Sequence, residues 1–146
     1  MKEKRPKVVI DTNVFVSGLI GTLTLGRSTI RSILTLLKED AFSLIISPET
    51  FDEIIDVINR PKFQHFITNE EIKELKELIT NKAIFVTPSR KIAHPLDPKD
   101  APILESAIAG EVDFLISGDQ HLLSLKKFHN ILITSPAEFL KVLKKA

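Results

Sequence analysis

Short runs of β-branched and aliphatic residues alternate with helical patterns along this 146-residue chain. The runs have little in/out alternation, which is typical of strands covered on both faces of a sheet. Between them, apolar residues recur at helical spacing, as in Ile30, Ile33, Leu34 and Leu37. The five predicted strands are Lys7–Ile10, Phe42–Ile46, Ala83–Val86, Val112–Ile116 and Ile131–Thr134.

Several helix starts carry a capping side chain followed by proline. Ser47-Pro48, Asp97-Pro98 and Ser135-Pro136 have this form, and Thr68 with Glu71 matches a capping box. Strand–helix alternation predicts an α/β fold, a three-layer α/β/α sandwich around a mostly parallel sheet of roughly five strands. No linker, repeat or low-complexity segment interrupts the pattern, so we expect one domain over residues 1–146.

Composition excludes some classes of protein. There is no cysteine, which rules out disulfides and thiolate metal sites. A net charge of +1 argues against a binder that holds nucleic acid by bulk charge, although a local basic patch remains compatible with it. No apolar stretch reaches the roughly 20 residues of a membrane helix. We expect a cytoplasmic protein with no membrane partner.

Three aspartates are predicted to meet at one edge of the sheet. Asp11 follows the first strand, Asp119 follows the strand that ends at Ile116, and Asp100 lies in the first turn of the preceding helix. Each also has a purely structural interpretation. Asp100 could belong to a capping box with Asp97, Asp119 could cap the next helix, and Asp11 could form an Asx-turn. Together, however, clustered carboxylates stay ionised at neutral pH only with a cation among them.

Four segments resemble the PIN-domain family, in the family's order. They are DTNVFVSG (11–18), PETFDEIIDVINRPKF (48–63), DPKDAPILESAIAGEVDFLISGDQHLL (97–123) and ITSPAEFL (133–140). The likeness covers nearly the whole chain and is strongest to the bacterial and archaeal branch of toxins from toxin–antitoxin pairs, the VapC-like nucleases. It implies a Mg²⁺- or Mn²⁺-dependent endoribonuclease, an RNA substrate, an antitoxin protein partner and a homodimer.

The resemblance also assigns residues. Asp11, Glu53, Asp100 and Asp119 correspond to the family's catalytic, metal-binding acids, while Asn13, Ser117 and Asp97 correspond to or lie near supporting polar positions. Spacing alone does not select Glu53, because Phe51, Ile54, Ile55 and Ile58 form the apolar stripe of its helix and Asp52 and Asp56 are equally plausible surface charges. Ala101-Pro102 departs from the polar residue that many relatives carry after the third acid.

Basic residues near these motifs are candidates for RNA phosphate contacts: Arg60, Lys62, Arg90, Lys91 and His121, with Lys126 and Lys127 after Asp119. The segment GLIGTLTLG at 18–26 could form a flap or hairpin beside the site, or bury against a second subunit. Two other functions stay open. One is a PIN-fold module that binds RNA or protein without cutting; the other is a haloacid-dehalogenase-like phosphatase, although Asn13 stands where that class needs a second aspartate.

Overall fold

The computed structural model of the chain describes residues 5–20, 24–88 and 100–145. These residues contain six strands: β1 (Lys7–Ile10), β2 (Ser43–Ile46), β3 (Ile84–Phe85), β4 (Phe114–Ile116), β5 (Lys127–Phe128) and β6 (Ile131–Thr134). They also contain seven helices: α1 (Thr12–Ile20), α2 (Thr24–Lys38), α3 (Pro48–Ile58), α4 (Asn69–Lys82), α5 (Ala101–Ala109), α6 (Gln120–Leu125) and α7 (Pro136–Lys145). A short 3₁₀ turn lies at Pro61–Phe63.

The strands form one sheet in the order β3-β2-β1-β4-β6-β5. All neighbouring pairs are parallel except β5 and β6, which are antiparallel. In the central pair, Val8 lies opposite Phe114 and Ile10 lies opposite Ile116. The predicted mostly parallel sheet is therefore confirmed, and each of the five predicted strands contains an observed strand. The one additional strand, β5, was not predicted.

Each face of the sheet is covered by helices, as the three-layer prediction requires. Val8 and Ile10 point to one core, which they share with helices α1 to α4 and α7. Val9, between them, points to the other core, formed with α5 and α6. Because successive residues of a strand face opposite sides, both cores need apolar residues from the same strand. This double burial explains why the strands show no polar alternation.

The predicted caps define where helices begin. Ser47 Oγ accepts a hydrogen bond from Thr50 N at 3.1 Å, at the start of α3. Thr68 and Glu71 form the full capping box of α4. Ser135 Oγ accepts from Glu138 N at 3.2 Å, at the start of α7. Asp97 lies outside the described residues, but helix α5 begins at Ala101 with Asp100 at its N-cap, so the predicted placement of Asp100 in the first turn was wrong by one position.

One of the alternatives for segment 18–26, a hairpin, was wrong. The segment after Asp11 is helical at once, since α1 begins at Thr12. Residues 18–20 end α1 and residues 24–26 begin α2, so a hairpin at 18–26 is excluded. The side chains of α1 explain this result, because Val14, Phe15, Gly18 and Leu19 are buried at the i, i+1, i+4, i+5 spacing of a helix face.

None of the helices among the described residues has the length and apolar character to cross a membrane.

Gly110 should be a position where one added methyl group destabilises the fold. An ideal Cβ there would lie 2.4 Å from Cγ2 of the buried, β-branched Ile45. Gly110→Ala should therefore lower the free energy of unfolding by about 1–3 kcal/mol, measured by chemical denaturation. Gly118→Ala is the matched control, because its Cβ would meet nothing within 4 Å and its φ is not positive. Equal stabilities of the two variants would contradict the tight α5–β2 packing.

Candidate active site at the carboxyl edge of the sheet

The neighbouring strands β1 and β4 open a crevice where they end. The helix after β1 packs on one face of the sheet, and the helix after β4 packs on the other. In open α/β sheets, ligands bind at such a switch point, beyond the carboxyl ends of the strands. Asp11 directly follows β1, and Ser117 and Asp119 follow β4. We call this edge the carboxyl edge.

Asp11 is fixed from both sides of the crevice. Its backbone N–H donates to Ile116 O at 2.9 Å, which extends the β1–β4 ladder by one residue. Its Oδ2 accepts from Ser117 Oγ at 3.0 Å. The backbone N–H of Asn13 also donates to the Asp11 carboxylate, in the first turn of α1. The predicted local turn at Asp11 is thus part of a larger network that reaches β4.

Ser117 joins the two strand ends. It is fully buried, and its N–H donates to Thr134 O at 3.0 Å. Its Oγ donates to Asp11 and accepts from the backbone N–H of Asp119 at 3.0 Å. One hydroxyl therefore sets the distance between the segments that carry two of the predicted acids.

Asp119 is the N-cap of α6, as its structural interpretation predicted. Its Oδ1 accepts from His121 N at 2.7 Å and from Leu122 N at 3.4 Å. The cap engages Oδ1, so Oδ2 is not part of it. Capping and metal binding are compatible here, because a carboxylate has two oxygens with several acceptor positions.

Asp100 is buried, with only 6% of its surface exposed, at the N-cap position of α5. Its side chain makes no capping hydrogen bond. Asp97, the proposed partner in a capping box, lies outside the described residues. Asp100 comes from the layer opposite α1, so the acids approach the carboxyl edge from both helical layers.

The pKa of Asp11 is raised above its ordinary value of 3.8. Burial is the largest cause, and the charges of Asp100 and Asp119 raise it further. The hydrogen bonds from Ser117 and Asn13 act in the opposite direction. Asp100 and Asp119 are therefore each close enough to repel the charge of Asp11, and a cation bound there would relieve that repulsion.

The donors fit a hard divalent cation by chemistry and by charge, because carboxylate oxygens are the ligands that Mg²⁺ and Mn²⁺ prefer. The carboxylates are not, however, already arranged as a coordination site. In the described part of the chain, no three or more histidine, aspartate or glutamate side chains are grouped to hold one ion as they stand. The two observations agree if the carboxylates must turn inward to bind, since Asp11 now accepts a hydrogen bond from Ser117 and Asp119 accepts one from the first turn of α6.

Glu53 lies on the edge of α3, not on its outermost face. The buried stripe of this helix is Thr50, Ile54 and Ile58, and Glu53 stands about 100° around the helix from Ile54. Phe51 lies on the opposite flank, where its ring meets Phe85 of β3 edge-on. Glu53 therefore lies on the flank away from β3, toward α1, against which α3 packs. Its side chain is exposed, and it is not among the charges that shift Asp11.

The acids Asp52 and Asp56 each lie about 160° from the centre of the buried stripe of α3, facing solvent. Asp56 forms an exposed ion pair with Arg60 at 3.5 Å. Of Asp52, Glu53 and Asp56, Glu53 is thus the one nearest the α1 side.

The predicted RNA contacts fall in different places. His121 is exposed in the first turn of α6, and its backbone N–H binds Asp119. Arg60 and Lys62 follow the carboxyl end of α3, whose 11 residues extend about 16 Å from Ser47. They are not brought next to the acids. Arg90 and Lys91 lie outside the described residues.

A cleft of about 510 Å³ beside Asp119 was not predicted. Its walls come from α1, α2, the β4–α6 turn and the start of α7. The sequence pointed to Asn13 and Asp119 as site residues and to a helix start at Ser135-Pro136, but not to a cleft between them. Four distant segments meet here, a juxtaposition that local patterns do not encode.

Comparisons with known proteins agree on the architecture. A family model described as a PIN domain matches residues 7–121. The uncharacterized protein MJ1680 of Methanocaldococcus jannaschii is 28% identical over 154 aligned residues, which cover 99% of this chain and 96% of that protein.

Among solved structures, a chain of VapBC2 from Rickettsia felis, bound to a DNA fragment from their promoter, aligns with a TM-score of 0.54. The alignment covers 87% of this chain and 96% of that chain at 15% identity, which supports the fold alone. The family model supports membership of a family as well as the fold, because it matches most of the chain. The matched range contains Asp11, Glu53, Asp100 and Asp119. The chain belongs to the PIN-domain family.

Proposed function

We propose that this protein is a divalent-metal-dependent endoribonuclease that hydrolyses RNA phosphodiester bonds. PIN domains are typically nucleases, and they generally use divalent metals. The observation that carries the proposal is geometric: Ser117 joins Asp11 to the backbone of Asp119 at the adjoining ends of β1 and β4, and the buried Asp100 is near enough for its charge to act on Asp11. Helix capping accounts for Asp119 alone and does not require a buried Asp100, which makes no capping hydrogen bond, beside a half-buried Asp11.

In this proposal, Asp11 and Asp119 bind Mg²⁺ or Mn²⁺ directly, and Asp100 and Glu53 bind it or orient the attacking water. Such an ion would lower the pKa of water and offset charge that develops on the phosphate. Ser117 holds Asp11 and the backbone of Asp119 in one arrangement, and Asn13 holds Asp11 through its N–H. Asp97 would support the same ligands.

The RNA would pass over the exposed side of this edge. His121 is well placed to contact a phosphate near the acids, because it follows Asp119 by two residues on the surface. Arg60 and Lys62 would contact phosphates farther along the strand, each adding a salt-dependent contribution to affinity. Arg90 and Lys91, in the segment before Asp100, are proposed as further phosphate contacts.

A toxin role is part of the proposal. The fold of the Rickettsia felis chain comes from a complex named VapBC2 bound to promoter DNA. By analogy, we propose that a small antitoxin protein binds this chain and blocks cleavage, and that the chain forms a homodimer. The analogy is one of fold.

A second candidate function has its own observation. Because no described trio of ligating side chains stands ready around one ion, the same fold could serve as a module that binds RNA or protein without cutting it. Metal-dependent cleavage separates the two functions, since a binding module would give none.

Asp11→Asn and Asp119→Asn should each abolish RNA cleavage in Mg²⁺ or Mn²⁺, with a loss of at least about a hundredfold, because a metal ligand is removed. Both variants should fold, since Asn can also cap a helix at position 119. Cleavage of a labelled RNA by protein freed of contaminating nuclease is the measurement. Asp52→Asn, on the solvent face of α3, is the matched control and should keep full activity.

In cells, induced expression of the wild type should arrest growth and expression of Asp11→Asn should not. Equal cleavage by the wild type and both site variants would refute the assignment of the acids. No cleavage by the wild type would favour the binding module.

Asp11→Asn should be more stable than the wild type at neutral pH without metal. Folding raises the pKa of this carboxyl, so its protonation stabilises the folded state. That stabilisation is complete at pH values below the pKa in the unfolded chain, and it is lost as the pH rises through the pKa in the folded protein. The wild type should therefore lose stability relative to Asp11→Asn as pH rises above about 4. Thermal unfolding of both proteins between pH 3.5 and 7.5 would measure the difference. A gap that stays constant across this range would contradict the raised pKa.

Glu53→Gln should reduce cleavage at least about tenfold if its flank of α3 contributes to the site, whereas Asp52→Asn and Asp56→Asn should change it less than about twofold. The three variants remove one carboxylate each from the same helix, so they share any effect of net charge. Rates at saturating Mn²⁺ are the measurement. Full activity of Glu53→Gln would remove Glu53 from the site and leave the three aspartates.

A further inference from the structure

The cleft beside Asp119 is continuous with the acids and differs from them in chemistry. Asn13 and Asp119 line both the cleft and the acidic site. From there the cleft runs between α1 and the start of α7, away from Asp100, which does not line it. Its volume of about 510 Å³ lies within the range of small-molecule sites in proteins.

Among the described residues that line the cleft, the only charge is the carboxylate of Asp119. A site for a phosphate group would need cationic side chains, and no lysine or arginine is found in that described lining. Apolar side chains such as Val14 and Pro136 form walls, while the amide of Asn13 and the hydroxyl of Ser17 add polar groups. Such a lining suits a neutral, flat group with apolar faces and a hydrogen-bonding rim.

Gly118 lines this cleft without a side chain that would occupy part of it. Its backbone φ is not positive, so no turn there demands glycine. A Cβ at this position would meet nothing within 4 Å, although the residues on either side, Ser117 and Asp119, are both held by hydrogen bonds. The absent side chain therefore leaves open space next to the acids.

We propose that this cleft binds the base of one nucleotide adjacent to the phosphodiester bond that is cleaved. The inference rests on the proposed nuclease function and adds a position at which RNA sequence is read. A phosphate bound through a metal ion at Asp11 and Asp119 would have a base on the ribose next to it. A base is therefore the neutral, flat group that would lie in a cleft continuous with the acids. Its faces would pack on Val14 and Pro136, and its rim would meet Asn13 and Ser17.

The test pairs a protein variant with a substrate lacking one base. A short RNA with a single mapped cleavage site is compared with copies that are abasic on either side of that site. For the wild type, kcat/KM should fall about tenfold or more for one of the two abasic copies. Gly118→Phe, which adds a ring to a residue that lines the cleft, should lose a similar factor on the intact RNA and show no further loss on the abasic copy.

Two controls separate the cleft from the fold and the acids. Gly118→Phe should unfold at the wild-type temperature and bind Mn²⁺ with wild-type affinity by calorimetry. Ala109→Phe adds the same side chain at an exposed position at the other end of α5 and should behave as the wild type. If Gly118→Phe binds Mn²⁺ poorly, Ser17→Phe narrows the cleft from α1 and takes its place in the comparison.

The outcomes are distinct. A wild type that cleaves no RNA would overturn the proposed function and this inference with it. A wild type that cleaves both abasic copies as fast as intact RNA would overturn this inference alone. The inference would also be overturned if Gly118→Phe lost a further factor in kcat/KM on the abasic copy, so that the two single losses multiplied. Such a result would show that the substitution and the base removal act at separate places.

Discussion

The site depends on the pairing of β1 with β4. These strands lie about a hundred residues apart in the chain, yet three residue pairs and one further hydrogen bond, from Asp11 N to Ile116 O, align their carboxyl ends. Because the following helices diverge onto opposite faces, the ends stay uncovered and polar groups can lie between them. A register slip of one residue would turn Ile10 and Ile116 away from their core and separate Asp11 from Ser117.

Around this pairing, local hydrogen bonds and repulsion between carboxylates oppose each other. Ser117 and the N–H of Asn13 stabilise the ionised form of Asp11, whereas burial and the charges of Asp100 and Asp119 destabilise it, and the raised pKa shows which effect is larger. The protein thus carries an electrostatic cost at the carboxyl edge of the sheet, and a bound cation would relieve it. That cost is what distinguishes the site from an ordinary set of helix caps.

Local patterns predicted the elements well and their assembly only in part. β1 and β6 have the predicted bounds, and the caps at Ser47 and Thr68 are confirmed, because these features depend on neighbouring residues alone. β5 was missed because two residues with one lysine carry no strand pattern, and they become a strand only by pairing with β6. The position of Glu53 on α3 likewise could not be read from spacing, since the buried stripe includes Thr50, a residue that looks polar in sequence.

The strand order has a consequence for synthesis of the chain. β4 lies between β1 and β6, so the centre of the sheet cannot close until residues up to Thr134 have left the ribosome. The first 99 residues contain Asp11 but neither Asp100 nor Asp119. A nascent polypeptide therefore lacks the assembled acids until synthesis has passed Asp119, and the strands on both sides of β4 are complete only once Thr134 has been added.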